Sequence, residues 1–253
     1  MIDLHCHILP GLDDGAKDWE TSLEMARIAE ADGIHTIVAT PHHKSVADND
    51  VETIERLTDE LNDRLQAANI NVKILPGAET HYYAEFAEDL KKGEVLPLNH
   101  SRYVYLELPH GQVPRYIEDM VFEIVVQGYT PIIPHPERNR EIRENPDLLY
   151  ALVDAGAISQ VTAGSITGYY GSETEKFSFQ LFKHNLSHVI ASDGHGVNRR
   201  KPVLGEAYER LEKTVGRECV EGCLSNAQNI VNRKELQVAI PSKIKRKKLF
   251  GLI

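Results

Sequence analysis

The chain has 253 residues, 42% of them hydrophobic, and a formal net charge of -10. That length suits a single large core, as in an α/β barrel of ~250 residues. No apolar run approaches the ~18 residues of a membrane span, and the acidic balance excludes a nucleic-acid-binding surface over the whole molecule while leaving room for a local cationic pocket. Three cysteines, Cys6, Cys219 and Cys223, are too few and odd in number for a disulfide framework. Together with an N-terminus that enters a strand at once without a charged leader, they predict a cytoplasmic protein.

Ile2 to His5 reads as a first strand. Trp19 to Ala31 carries Leu23, Ala26 and Ala29 at helical spacing, with Asp18 placed to cap the helix. Thr36 to Ala39 is a second strand. Val51, Ile54, Leu57, Leu61, Leu65 and Ala68 then step by three or four residues and present one apolar face between acidic residues, which predicts a helix. Val72 to Leu75, Tyr103 to Leu108, Thr130 to Ile133, Ile158 to Val161 and His188 to Ala191 bring the strands to seven, each separated from the next by helix-like sequence.

Repetition of strand, helix, strand requires parallel pairing with crossovers, and seven such units close most simply into a barrel. An open doubly wound sheet is the alternative. It would normally carry a Gly-rich phosphate loop after the first strand, where this chain has His-Cys-His-Ile-Leu-Pro. The expected fold is therefore α/β, a distorted (β/α)7 barrel in one domain over residues 1–240, with a tail over 241–253.

Residues with metal-binding chemistry recur just past the strands, where a barrel gathers its active site. His5 and His7 stand one residue apart, so period-two geometry turns both rings to one side and Cys6, read as a packed thiol, to the other. Asp13-Asp14-Gly15 offers either a ligand at Asp14 or turn chemistry before a helix. His42 and His43 follow the second strand behind a proline, and spacing alone does not choose between them. Glu79 and Glu107 lie in or beside apolar strands, where a lone carboxylate is costly to bury unless paired or bound to metal. His135 follows the fifth strand, and Asp193 and His195 follow the seventh. Carboxylate and imidazole together are the donor set for borderline divalent ions.

The combination His-x-His, Asp-Asp-Gly, Thr-Pro-His, Gly-x-Glu, a strand-end Glu, His-Pro-Glu-Arg and Ser-Asp-Gly-His resembles the PHP (polymerase and histidinol phosphatase) family. Within it, residues 1–235 are similar to the bacterial protein-tyrosine phosphatases of capsule and exopolysaccharide synthesis. The resemblance implies a barrel of PHP type with three divalent ions, often manganese, although mixed N/O sites also accept iron, cobalt or zinc. It also implies hydrolysis of phosphotyrosine on a partner tyrosine kinase. By motif position, His5, His7, Glu79 and Asp193 would hold one ion, Glu79, Glu107 and His135 a second, and Asp14, His42 and His195 a third.

Four carboxylates against three divalent ions leave a double positive excess, which a phosphate monoester dianion would balance. Clustered metals lower the pKa of a bridging water, so hydroxide can attack at neutral pH without a protein nucleophile. A cysteine mechanism is excluded by spacing, because Leu12, Ser225 and Asn229 stand where a Cys-x5-Arg loop needs arginine. Arg138, Arg199 and Arg200 follow the ligand loops and suit bidentate contact with phosphate oxygens. Arg138 and Arg200 best match the family's phosphate-binding arginines. Tyrosine's phenol, with a pKa of about 10, leaves without strong acid help, and Tyr82, Tyr83, Tyr169 and Tyr170 are candidate neighbours of its ring.

A histidinol-phosphatase-like enzyme for a small metabolite is the alternative function. An amidohydrolase cutting C-N bonds, which also begins with His-x-His, ranks third, and a non-catalytic phosphotyrosine-binding protein last. From Lys243 to Lys248 five of six residues are basic, and Leu249-Phe250-Gly251-Leu252-Ile253 follows. Such a tail suits an anionic membrane leaflet, where each basic residue adds ~1 kcal/mol, or a membrane-associated kinase. It would make the protein peripheral at the inner membrane face. A disordered tail is the plain alternative.

Overall fold

The computed structural model describes residues 1–44, 47 and 49–245. Its strands are β1 (Ile2–Cys6), β2 (Thr36–Ala39), β3 (His42–His43), β4 (Lys73–Pro76), β5 (Glu79–His81), β6 (Tyr103–Glu107), β7 (Thr130–Pro134), β8 (Ile158–Thr162) and β9 (Val189–Ala191). The helices are α1 (Trp19–Ala31), α2 (Val51–Ala67), α3 (Phe86–Lys92), α4 (Ile117–Val126), α5 (Arg140–Glu144), α6 (Asp147–Asp154), α7 (Ala163–Ile166), α8 (Ser172–Lys183), α9 (Gly205–Thr214) and α10 (Arg217–Val231).

Among the described residues every strand pairing is parallel, in two runs ordered β1-β2-β4 and β3-β5-β6-β7-β8-β9. The runs are joined by the chain itself, because the second and third strands are each broken and resumed. Pro41, which has no N–H to give a ladder, separates β2 from β3. Between β4 and β5 the break follows Pro76 at Gly77, where a Cβ would stand 2.9 Å from both Leu98 Cδ2 and Val38 Cγ1. Counting each broken strand once gives the seven expected positions. The curled sheet is tied at its C-terminal rim by His7 N–H donating to Gly194 O and Asp193 N–H to His5 O, both 2.8 Å, beside a Cys6–Gly194 bridge. The barrel expectation holds.

Alternation along the strands sorts the core into two layers. Ile37, Ile74, Val104, Leu106, Ile133, Val161 and Ile190 face the helices, whereas Val38, Leu75, Tyr103, Tyr105, Ile132, Ile158 and Val189 fill the interior. Ala227, Ile230 and Val231 of α10 join that interior cluster and cover its lower end, below the strands' N-termini. In β1 the register slips between Asp3 and Cys6. Leu4 stays in the interior cluster, and the His5 ring also turns inward against Tyr105, at 4.8 Å between centroids.

Local signals placed the first two helices. Asp18 accepts from Thr21 N–H at 2.8 Å, as an N-cap should, and α1 has the expected limits. Beyond α10 the chain runs back under the barrel and up its side. Tyr103 Oη donates to Lys234 O at 2.8 Å, Asn185 Nδ2 to Ile240 O at 2.9 Å, and Ser242 N–H to His184 O at 2.9 Å. The remaining tail, residues 246–253, lies outside the described residues. Among the described residues no helix is long and apolar enough to cross a membrane.

Candidate metal centre

The site is organised around Glu79. Parallel pairing sets His42 on β3 opposite Glu79 on β5, and His81 opposite Glu107 on β6. The Glu79 side chain is 1% exposed and meets four imidazoles. Its Oε2 lies 3.2 Å from His5 Nε2, 3.4 Å from His7 Nε2 and 3.2 Å from His42 Nδ1, and its Oε1 lies 2.7 Å from His135 Nε2. Glu107 stands beside it, 3.8 Å from His135 Nε2 and 3.9 Å from His42 Nδ1.

Three of the rings are fixed from behind. His5 Nδ1 is 2.8 Å from Gln160 Oε1, His7 Nδ1 is 2.7 Å from Asp13 Oδ2, and His195 Nδ1 is 2.9 Å from Asp193 O. Each partner is an oxygen that only accepts, so each Nδ1 carries the proton and donates, leaving Nε2 turned to the cluster as a ligand atom. His5 and His7 Nε2 lie 3.2 Å apart. Asp193 Oδ1 is 3.5 Å from His5 Nε2 and 3.6 Å from His7 Nε2. Asp14, exposed at the rim, reaches His42 Nε2 at 3.5 Å and His195 Nε2 at 3.4 Å.

All nine candidate ligands, His5, His7, Asp14, His42, Glu79, Glu107, His135, Asp193 and His195, thus meet at one mouth. His43 points elsewhere, its Nδ1 donating to Asn49 O at 2.8 Å, so the choice that spacing left open falls geometrically on His42. Cys6 turns away with its Sγ 3.6 Å from Gly194 O. Three sets of ligand atoms fall within 4.8 Å of one another: His5, His7 and Asp193; His7, Asp14, His42 and His195; and His42, Glu79 and Glu107. His7 and His42 are shared between sets, where the motif-based grouping shares Glu79, and His135 falls in none of the three, its Nε2 lying 2.7 Å from Glu79 Oε1. Among the described residues, buried His42 Nδ1 and His195 Nε2 lie near Glu79 and Asp14 without completing a hydrogen bond. Those atoms and the mixed N/O donor set fit divalent cations.

Several contributors were not read from the sequence. Asp13 takes the turn role weighed for its loop, accepting from Gly15 N–H and His42 N–H at 2.9 Å each while anchoring His7. Gly15 is required there, since a Cβ would stand 2.2 Å from His7 O. His81 faces Glu107 Oε2 at 3.3 Å, and its spacing of two from Glu79 along a strand was the available signal. Gln160 gave none, because a buried strand glutamine has no metal signature.

Arg138 and Arg200 both close on Asp193, with Nη2 at 2.8 Å from Oδ2 and 2.7 Å from Oδ1 respectively. Arg138 also donates from Nη1 to Tyr170 Oη at 3.1 Å. Arg199 is exposed and lines a neighbouring cavity rather than this mouth. Of the other tyrosines, Tyr82 packs on His81 at 4.9 Å between rings, and Tyr83 Oη donates to Asp89 at 2.9 Å. The mouth encloses about 340 Å³ between the ligand loops, His81, His110 and the two arginines.

His135, Asp193 and Arg200 adopt φ of 39°, 53° and 48°, a left-handed conformation that costs non-glycine residues energy and tends to persist where surrounding structure enforces it. The charges are strongly coupled. Burial opposes ionisation of Glu79, yet His5 and His135 hold its pKa well below the usual range. Asp193 is likewise held low against burial by Arg138, His5 and Arg200. Burial opposes a charged His7, but Asp13 and Glu79 raise it to about 10. His135 falls to about 4 through burial and the nearby Arg138. The pocket thus stabilises carboxylate anions and presents them to cations.

The family model for capsular polysaccharide synthesis, CpsB/CapC, matches residues 1–232. Tyrosine-protein phosphatase YwqE of Bacillus subtilis (strain 168) is 46% identical over 252 residues, 99% of each chain. Putative tyrosine-protein phosphatase CapC of Staphylococcus aureus is 34% identical over 255 residues, 100% of each chain. A solved structure from work on YwqE of Bacillus subtilis and CpsB of Streptococcus pneumoniae, described as unique metal-dependent tyrosine phosphatases, superposes with a TM-score of 0.95 at 45% identity. It covers 97% of this chain and 100% of that one.

Replacing Asp13 by asparagine keeps an acceptor for Gly15 but removes both the charge and the oxygen that His7 Nδ1–H and His42 N–H share. We expect Asp13→Asn to weaken manganese binding by about 10- to 100-fold in a protein that remains folded by circular dichroism. Calorimetric titration giving wild-type affinity would contradict the role assigned to Asp13.

Proposed function

Because this chain belongs to the CpsB/CapC family of capsular polysaccharide synthesis proteins, we propose that it is a metal-dependent protein-tyrosine phosphatase acting on phosphotyrosine in a partner protein. The observation that carries the reading is the meeting of nine N/O donors and two arginines at one barrel mouth. His5, His7, Glu79 and Asp193 are proposed to hold one ion, Glu79, Glu107 and His135, with His42 in reach, a second, and Asp14, His42 and His195 a third. Manganese is the proposed metal.

Bound divalent cations supply Lewis acidity toward phosphoryl oxygens and lower the pKa of the attacking water. The chain's own residues do the positioning. Arg138 and Arg200, brought to the mouth by Asp193, present guanidinium forks to the phosphate oxygens and stabilise the charge that grows on them in the transition state. Tyr170, accepting from Arg138 Nη1, helps to orient that guanidinium. Gln160, Asp13 and the Asp193 carbonyl hold three imidazoles by Nδ1, so ligand geometry is set before substrate arrives. The P–O bond to the phenol breaks as a bond from water forms, and the phenol departs with its low pKa in its favour. Cys6, turned from the mouth, takes no part. The reading ranks above a small-metabolite phosphatase and a C-N hydrolase because the relative matched over 99% of both chains is a tyrosine-protein phosphatase.

The finer proposal is that the partner is a membrane-associated tyrosine kinase, approached through the basic and apolar C-terminal tail. A chain ending at Ser242 should then bind anionic vesicles more weakly than the full chain, and equal binding would remove the membrane part of the proposal. For the chemistry, the full chain loaded with manganese should hydrolyse a phosphotyrosine peptide faster than histidinol phosphate and lose that activity to chelator. Arg138→Ala should retain metal but turn over about 10²- to 10³-fold more slowly. Undiminished turnover after chelation, or in Arg138→Ala, would overturn the assignment.

A further inference from the structure

Beside the mouth, and joined to it through Arg200, lies a second cavity of about 350 Å³. Its walls include the exposed Tyr169, together with Tyr170, Arg199, Lys201 and Glu206. The charges there are unequally committed. Asp32 Oδ2 accepts from the backbone N–H groups of Leu204 and Gly205. Glu206 pairs with Arg210 at 2.8 Å, and Arg200 with Asp193 at 2.7 Å. Arg199 and Lys201, both exposed, have no carboxylate partner among the described residues. A chain with a net charge of -10 therefore keeps two unpaired cations beside its phosphate arginines.

The aromatic wall connects the two spaces. Tyr169 stands edge-on to Tyr170 at 4.9 Å between centroids, and the Arg138 guanidinium lies 5.1 Å from the centre of the Tyr170 ring while bonded to its hydroxyl. The two cavities share Arg200 as a wall, and the residue next to a phosphotyrosine lies only about 3.3–3.6 Å along the backbone from it, so with the phosphate at Arg138 and Arg200 a neighbouring side chain is directed to the adjoining cavity.

We propose that the cavity is a recognition subsite for an acidic side chain next to the phosphotyrosine, with Arg199 and Lys201 meeting its carboxylate and Tyr169 supporting the adjoining peptide. The assignment rests on the phosphatase reading and names the kind of phosphopeptide that this site selects. Global charge works against such a peptide, since an acidic protein repels it, so selection must come from this local field.

The test uses the full-length, manganese-loaded protein and two phosphotyrosine peptides of equal length, one with glutamate and the other with lysine on both sides of the phosphotyrosine. Wild type is expected to favour the glutamate peptide by roughly fivefold in kcat/KM, mainly through KM, as one or two exposed ion pairs would give. Lys201→Glu should bring that ratio to one or invert it, and Lys201→Ser should roughly halve it. Hydrolysis of both peptides at equal kcat/KM, or a preference that survives Lys201→Glu, would overturn the subsite while leaving the phosphatase reading intact. Failure to hydrolyse either peptide would overturn both.

Discussion

A glutamate enclosed by four imidazoles is the constraint on which this architecture turns. Removing a carboxylate from water costs several kcal/mol unless opposite charge and good geometry compensate, and Glu79 is almost wholly enclosed. Its neighbours come from three strand ends: His5 and His7 from the first, His42 from the second and His135 from the fifth. Only a sheet that curls back on itself brings those ends together. The breaks at Pro41 and Gly77 serve the same arrangement, because they let two strands resume with His42 and Glu79 in register at the rim.

Around that carboxylate the protein fixes direction as well as position. The register slip in β1 turns His5 inward, and the tight turn at Gly15 brings Asp13 against His7. Left-handed backbone at His135, Asp193 and Arg200 is a local cost borne at the groups that would touch metal or phosphate. Asp193 links the two functions, as its carboxylate faces the histidine cluster and holds both arginines. Metal and phosphate chemistry therefore share one buried anion, and a change there would disturb both.

Much of this was legible in the sequence because strand ends and ligand loops are local features. Apolar runs bounded by His, Asp or Glu marked the seven strand positions to within a residue or two, and most of the nine candidate ligands stood at their ends or just beyond them. Two- and three-residue strands such as β3 and β5 carry no periodicity, so their existence depended on pairings distant in sequence. The same is true of Asp13, whose acceptors reach His7, Gly15 and His42 from a loop that reads equally well as an ordinary turn. The choice of His42 over His43 needed the direction of the chain after Pro41, and the separation of Arg199 from Arg200 needed the left-handed turn at Arg200.

The most direct test of the account is elemental analysis of gently purified protein, comparing wild type with Glu79→Gln. If Glu79 is the shared anion of the cluster, wild type carries more than one divalent ion per chain, and the variant loses more than one ion for its single lost charge while its fold persists by circular dichroism. A folded Glu79→Gln protein with the wild-type metal complement would contradict it.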